Sequence, residues 1–420
     1  MKDSKAIQIT VPKGVEHIIR HIEQAGYEAY AVGGCVRDAL LGREPEDWDI
    51  TTSAKPEVVK SLFLRTIDTG IEHGTVTVLL SAQEAGEGDR AFEVTTYRVD
   101  GIYEDGRHPK AVSFTGSLEE DLARRDFTIN AMAYHMERGI IDCYHGQEDL
   151  EDKRIRTVGR AEERFTEDAL RMMRGIRFSA QLDFQIEEDC LQAMLALREN
   201  LGKVSKERIA VELVKLLCSP HPERVKLLFS TGLSDFVTRH FSEIEKRGIP
   251  SLLGNAKAKK YLRLGLLLRH LPEYAKEILE ELKLDRECID QASAFVELFS
   301  LEEADSPYAL RKRLSRYGLE LVQDFYETKA LLLENVSNTP GKAMAEQVKL
   351  RLSWLQKIQQ EGDCYTLSDL AIKGKDLLSI GVKAGPAMGE LLHQALDYVM
   401  QNPSENDREA LLSFVKSRIC

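Results

Sequence analysis

No apolar run in the chain is long enough to cross a bilayer. The longest, such as residues 264–268, fall far short of the ~20 residues that a membrane-spanning helix needs. Residues 1–14 are mixed polar with no apolar centre and do not read as a secretory signal. The seven cysteines, at 35, 143, 190, 218, 288, 364 and 420, are odd in number and form no close pairs. That pattern favours reduced thiols in a cytoplasmic protein over a disulfide frame or a zinc site. Gly33 and Gly34 are adjacent, not spaced as in the three-glycine fingerprint of dinucleotide-binding folds, and a Walker lysine motif is absent. No fixed-period repeat marks a solenoid.

What is present changes character part-way along. Up to about residue 150, helical and strand patterns alternate. A helix is expected over 15–25, closing near Gly26, and another over 35–41, closed by Gly42. Strands are expected over 28–32, 48–52, 74–80, 91–98 and 139–144. Beyond 150 the strand signal stops, and apolar residues recur at spacings of three and four, as in Ala169, Leu170, Met173 and Ile176. The expected fold is an α/β head on a small mixed sheet, followed by an all-α region. A chain of 420 residues should split into roughly two to four units.

Acidic residues outnumber basic ones, 69 to 57, for a net charge of −12. That sum argues against a nucleic-acid partner, but local patches decide binding. Between residues 153 and 177, eight Lys and Arg stand against four Asp and Glu. Residues 306–317 hold Arg311, Lys312, Arg313 and Arg316 with no acid, flanked by Tyr308 and Tyr317. Lys257, Lys259, Lys260, Arg263 and Arg269 form a third group. Each island is either a local RNA-binding patch or a solvated helix face.

Three constellations carry chemistry. The first runs Val32-Gly33-Gly34-Cys35-Val36-Arg37-Asp38 to Asp47-Trp48-Asp49-Ile50. On a strand, residues i and i+2 share a face, so Asp47 and Asp49 can hold one or two hard cations. Upstream, the Gly-Gly turn opens a helix whose first N–H groups and Arg37 can receive a triphosphate. Asp-x-Asp alone is common in turns where a carboxylate caps a helix. The joint spacing is what makes these the parts of a metal-dependent phosphoryl or nucleotidyl transfer site. The second constellation is Asp121-Leu122-Ala123-Arg124-Arg125-Asp126-Phe127-Thr128-Ile129-Asn130. It is either a structural ion-pair turn or a guanidinium placed on phosphate or ribose and oriented by Asp126.

The third is Glu167-Asp168-Ala169-Leu170-Arg171-Met172-Met173-Arg174-Gly175-Ile176-Arg177-Phe178. Asp168, Arg171, Arg174 and Arg177 are spaced by three and are expected to form one slowly drifting stripe on a helix. A salt-bridged surface helix would look the same. The sharper reading is base recognition. Asp168 can accept from the exocyclic amine of cytosine or adenine while Arg171 donates to the adjacent ring nitrogen. Uracil and guanine offer a carbonyl and a ring N–H there and would leave both protein groups mispaired. That is costly in a buried site, so the pair suits a protein that picks C and A without a nucleic-acid template.

In their order, these motifs resemble those of class II tRNA nucleotidyltransferases, the bacterial and eukaryotic CCA-adding enzymes of the DNA polymerase β superfamily, close to bacterial poly(A) polymerases. The likeness rests on Gly33-Gly34 with Arg37, Asp47-x-Asp49, Arg124-Arg125-Asp126 and Glu167-Asp168-x-x-Arg171. Asp142-x-x-x-Gly146-x-x-Asp149-Leu150 to Arg154 is similar to the family's hinge motif, and Ser205-Lys206-Glu207-Arg208 to Glu212 to its neck-helix motif. The matching motifs span roughly residues 30–215; the helical remainder carries none.

The resemblance implies a catalytic head over 1–150, a base-recognising helical neck over 151–220, and a tRNA-binding body and tail over 221–335 and 336–420. It implies Mg2+ on Asp47 and Asp49, the triphosphate at Gly34 and Arg37, and nucleotide contact from Arg125. Asp168 and Arg171 would read the base, Arg174 and Arg177 would complete the pocket, and Glu167 would orient Arg171. Glu93 is the candidate for a third carboxylate on the metal. The implied activity is cytoplasmic addition of C, C and A from CTP and ATP to the 3′ end of tRNA, in maturation or repair. Residues 100–109, polar and glycine-bearing, resemble the flexible loop that CC-adding members lack, which points away from CC-only addition. Full CCA and A-only addition both stay open, and a poly(A) polymerase would share the head.

Overall fold

The computed structural model describes residues 9–86, 90–101, 112–250, 253–334 and 339–419. Two compact units emerge, one of Met1–Glu245 with Glu281–Lys283, the other of Lys246–Glu280 with Leu284–Cys420.

Up to residue 141 the first unit carries nine strands, interspersed with helices: β1 (Ala29–Val32), β2 (Ile50–Thr52), β3 (Thr66–Gly70), β4 (Thr75–Leu80), β5 (Arg90–Thr96), β6 (Arg98–Asp100), β7 (Val112–Phe114), β8 (Ala133–His135) and β9 (Gly139–Ile141). Seven of them form one mixed sheet in the order β3-β4-β5-β2-β1-β8-β9. β2 and β5 run parallel, with Ile50 beside Val94 and Thr52 beside Thr96. The other neighbours are antiparallel. β1 and β2 are buried along their whole length, as befits central strands. Helix α1 (Lys13–Gln24) lays Val15, Ile18, Ile19 and Ile22 against β1, the three-and-four spacing that makes one apolar stripe. β6 and β7 pair as a separate ribbon. The loop expected over 100–109 connects them, and from residue 102 it lies outside the described residues.

Helix α2 (Gly34–Leu40) follows β1 directly, and the helices that follow the sheet include α3 (Ala161–Glu167), α4 (Leu170–Leu182) and α5 (Lys206–Leu217). α4 and α5 pack against each other, and Met172, Met173 and Ile176 of the one and Ile209, Leu213 and Leu216 of the other are buried. Gly175 lets α4 come close to the head: a Cβ there would stand 3.1 Å from the Phe127 ring and 3.0 Å from the Met194 methyl. Strand does not stop at 150. Arg154–Ile155 pairs in parallel with Gln185–Ile186, two residues each, too short to leave a period-two signature.

The second unit is helical where described. Phe295, Phe299, Phe325 and Tyr326 meet edge to face in one core, and Leu370, Ile372, Leu377, Leu396, Val399 and Leu411 make another. Its two basic islands are largely consumed internally. Arg311 pairs with Asp363 at 2.7 Å and donates to the Met400 carbonyl, and Arg313 donates to the Tyr326 hydroxyl. Arg316 pairs with Glu297. Lys257 and Lys259 both close on the buried Asp324, at 2.8 and 2.6 Å. No described helix is long and apolar enough to cross a membrane, and the described cysteines are free thiols.

Candidate active site

The acidic pair sits one step ahead of the strand expected to carry it. β2 begins at Ile50, so Asp47 and Asp49 occupy the extended stretch before it. The alternation survives: Trp48 and Ile50 are buried while Asp47 and Asp49 are exposed. The Val32 N–H donates to the Asp49 carbonyl at 3.0 Å, which extends the β1 ladder to that residue. Both carboxylates therefore leave the chain on one face. Glu93 precedes Val94 on parallel β5 as Asp49 precedes Ile50 on β2, so the register sets them side by side. Although its carboxylate reaches solvent, Asp49 is hemmed in by protein. That burial raises its pKa above the ordinary value, and the charges of Glu93 and Asp47 push the same way against Arg125.

Hard oxygen donors with excess negative charge are what a divalent cation relieves. No cluster of three or more His, Cys, Asp or Glu placed to hold a metal occurs among the described residues. Glu93 adds a neighbouring negative charge beside Asp49. Two carboxylates suffice for Mg2+, which commonly fills its remaining positions with water and substrate phosphates.

Asp47 and Asp49 line an open cavity of about 600 Å3 together with Gly34, Arg37, Arg177 and Lys215. That volume falls in the range of nucleotide-sized ligand sites. Gly33 turns into α2 at φ 84° and ψ −131°, a conformation that L side chains rarely adopt. A Cβ there would lie 3.1 Å from the Arg125 guanidinium, so the glycine also makes room for that arginine. Arg37 is clamped by Asp38 at 2.9 and 2.8 Å and by Asn130 at 2.6 Å. The guanidinium groups of Arg37, Arg174 and Arg177 gather over the Phe178 ring at 5.1, 5.4 and 3.9 Å. The result is a cationic wall facing an anionic edge, which can bind a polyanion while a cation bridges to it.

Comparison with known proteins identifies the architecture. The family described as Poly A polymerase head domain matches residues 29–156, and that described as probable RNA and SrmB-binding site of polymerase A matches 183–244. Residues 255–415 match a putative tRNA nucleotidyltransferase domain 2. The CCA-adding enzyme of Enterococcus faecalis is 38% identical over 97% of both chains, and that of Geobacillus kaustophilus 39% identical over 96% of both. The chain belongs to the CCA-adding enzyme family. The crystal structure of the Bacillus stearothermophilus CCA-adding enzyme, in complex with CTP, matches with a TM-score of 0.79 at 35% identity over 98% of each chain. The Thermotoga maritima CCA-adding enzyme, complexed with tRNA, shares the fold at a TM-score of 0.57 and 21% identity.

Within this CCA-adding enzyme fold, the remaining sequence-nominated residues form a linked ion-pair network around α4. Arg174 grips Asp126 at 2.7 and 2.6 Å. Burial pushes the Asp126 carboxyl up, but the charges of Arg174 and Arg171 outweigh it and hold the pKa at about 2. Glu212 of α5 takes Arg177 at 2.5 Å and lies 4.0 Å from Arg174. Arg171 donates to Glu167 at 2.6 Å and to the carbonyls of Arg164 and Arg124 at 3.3 and 3.1 Å. Three of its five N–H donors are so engaged. Arg124 and Arg125 both close on the buried Asp121, at 2.7 and 3.2 Å, and Thr51 of β2 donates to the same carboxylate at 3.1 Å. The Arg-Arg-Asp turn is therefore an ion-pair turn in which Asp121, and not Asp126 as expected, holds the two arginines, with Arg125 lying against Gly33. Asp149 of the hinge-like motif accepts from Thr128 at 2.6 Å and Arg156 at 2.9 Å, locking the segment just beyond it.

The expected four-residue stripe is corrected. α3 ends at Glu167 and α4 starts at Leu170, leaving Asp168 in the junction at φ −141° and ψ 105°. Its carboxylate accepts the Leu170 N–H at 3.0 Å, the local side-chain bond that competes with helix at such residues. Arg171, Arg174 and Arg177 alone share the helix. Asp168 does not pair with Arg171: Arg208 of α5 takes its carboxylate at 2.8 and 3.4 Å. The sequence motifs contain Phe178 and Asn130 but gave them no role, and the contacts of Arg208 and Glu212 were not foreseen. Phe178 follows Arg174, and Asn130 follows Asp126, by four residues, the spacing that could have drawn attention to them.

Proposed function

We propose that this protein is a CCA tRNA nucleotidyltransferase, adding C, C and A from CTP and ATP to the 3′ end of tRNA without a nucleic-acid template. The observation that carries the reading is the acidic pair Asp47 and Asp49 lining one cavity with Gly34, Arg37 and Arg177, in a chain matched end to end by CCA-adding enzymes. A poly(A) polymerase would share the head, but the full-length relatives favour CCA addition.

Asp47 and Asp49 would hold Mg2+. A bound divalent ion supplies charge neutralisation at the transferred phosphate and makes the attacking RNA 3′-hydroxyl more acidic. Arg37, Arg125 and Lys215 face the triphosphate and hold it for in-line displacement, while Arg174 and Arg177 stack over Phe178 and close the pocket. Asp168 accepts from the exocyclic amine of C or A, and Arg171 offers the donors left to it to the ring nitrogen. Glu167 keeps the Arg171 guanidinium in one rotamer. The head over 1–150 and neck over 151–220 carry this chemistry, and the body over 221–335 and tail over 336–420 hold the tRNA by its phosphates and shape. The enzyme acts in the cytoplasm, where reduced thiols persist.

The test is incorporation of labelled CTP and ATP into tRNA ending before CC and tRNA ending in CC, with and without EDTA. Addition stopping at CCA, and lost on chelation, is expected. Long A tails from ATP alone would mark a poly(A) polymerase, and extension of the CC-ending substrate alone an A-adding enzyme.

A further inference from the structure

We infer that Asp121 keeps the metal site open by holding Arg125 away from the carboxylates of Asp49 and Asp47. The inference rests on the proposal that those two residues take the divalent ion. An arginine placed for a triphosphate stands near carboxylates that it could pair with before any substrate arrives. Other arginines of the site each have an acid of their own: Asp38 for Arg37, Asp126 for Arg174 and Glu212 for Arg177. Asp121 serves Arg125 in the same way, at 3.2 Å, and Arg125 is a cation whose charge reaches Asp49.

The geometry puts that competition within one rotamer change. Asp49 and Thr51 are two residues apart on extended chain, so their side chains share a face, roughly 7 Å apart. The Thr51 hydroxyl donates at 3.1 Å to Oδ2 of Asp121, the same oxygen that takes Nη2 of Arg125 at 3.2 Å. The guanidinium is thereby parked one strand step beyond Asp49. Its Nη1 lies against Gly33, whose neighbour Val32 donates to the Asp49 carbonyl. Its Nε is buried with no partner among the described residues, so the bond to Asp121 is what holds the group. Asp121 is itself fixed. Fully buried, it takes Nε and Nη2 of Arg124 at 2.9 and 2.7 Å and the Arg98 backbone N–H at 3.4 Å. Burial pushes its carboxyl up, but the charges of Arg125 and Arg124 outweigh burial and hold it below the ordinary value, so it stays ionised. Removing that charge leaves the Arg125 guanidinium without its counter-ion, and Asp49 is the next acid along the face.

The experiment titrates the full-length protein with Mn2+, a spectroscopic stand-in for Mg2+, and reads bound ion by electron paramagnetic resonance without nucleotide. It compares wild type with Asp121→Asn, Arg125→Gln, the double variant and Asp49→Asn. Asp121→Asn keeps the shape of the side chain and drops its charge. The half-saturating Mn2+ concentration should then rise about tenfold, the size of one charge-assisted bond competing for the same carboxylate. In the double variant the competitor is gone, and binding should return to within about twofold of Arg125→Gln alone. Arg125→Gln by itself should tighten Mn2+ binding by no more than about threefold, the effect of one screened charge roughly 7 Å away. This variant leaves Asp121 intact and carries the test should Asp121→Asn fail to fold. Tightening of about tenfold or more would show that Arg125 already sits on the metal carboxylates, and would overturn the inference. So would wild-type Mn2+ affinity in Asp121→Asn, or a double variant that binds as weakly as Asp121→Asn, the mark of a purely structural hub. If Asp49→Asn binds Mn2+ like wild type, the metal reading itself fails and the inference with it.

Discussion

Asp49 illustrates a residue whose functional and structural contributions have opposite signs. Burial and the charges of Glu93 and Asp47 raise its pKa in the folded protein. An acid whose folded pKa is raised costs stability wherever it is ionised, so Asp49→Asn should be at least as stable as wild type at pH 7 in chemical denaturation. The same change, like Asp47→Ala or Asp49→Ala, should lower nucleotide incorporation on the order of a thousandfold while sparing tRNA binding. The double variant should lose little more, since two carboxylates on one cation act as a unit. Asp126 has the reverse sign. Its pKa is depressed to about 2 in the fold, so its stabilising pairing with Arg174 is fully present above its unfolded value, near pH 4, and is lost as pH falls toward 2. That loss amounts to about 2 kcal/mol. Asp126→Asn should flatten the stability profile between pH 5 and 2; an unchanged acid limb would show that another carboxylate sets it.

At the scale of elements, what could be read in advance was what is local in sequence. Gly33-Gly34, α2 and the alternation of Asp47, Trp48 and Asp49 are set by neighbours within a few residues, and they appear where expected, with β2 starting two residues late. Asp168 was misplaced because a spacing of three looks helical whether or not the chain breaks. Only the capping bond to the Leu170 N–H and the partner on α5 decide that it breaks. The roles of Phe178 and Asn130 were missed for a related reason: they come from tertiary contacts with Arg37 that a linear pattern does not encode. The turn at Gly33 gives a prediction that separates these levels. Gly33→Ala forces a side chain into a positive-φ backbone and against Arg125, a strain of about 1–3 kcal/mol. KM for CTP and ATP should rise together, about tenfold, with the ratio between correct and incorrect bases untouched. A change in base selectivity would show that the turn and the reading residues are not separate devices.

Across the whole molecule, net charge is a poor guide to partners, and so are its local islands. A charge of −12 coexists with a cationic cavity wall, while the islands at 257–269 and 306–317 are mostly spent on Asp324, Asp363, Glu297 and backbone carbonyls. Their first contribution is to the helical unit's own stability. Asp324 is buried, and its pKa is driven down, against the effect of burial, by Lys257, Lys259 and Tyr261. Asp324→Ala takes the shared acceptor from the Tyr261 hydroxyl and from two ammonium groups, of which Lys257 keeps Glu327 and Lys259 keeps Glu320. Because both lysines keep partial access to water, the cost should be about 2 kcal/mol, below that of a fully buried broken pair. Two units with separate cores should unfold in two calorimetric transitions rather than one. Asp324→Ala should lower the transition of Lys246–Glu280 with Leu284–Cys420 by about 5 °C and leave the other in place. CTP with Mg2+ at a hundredfold excess over Kd should do the opposite, adding about 2.7 kcal/mol to the unit that carries Asp47 and Asp49. Raising both transitions equally with nucleotide, or losing both equally with Asp324→Ala, would mean that the two cores unfold as one cooperative body and that the ion pairs of the helical unit support the catalytic one directly.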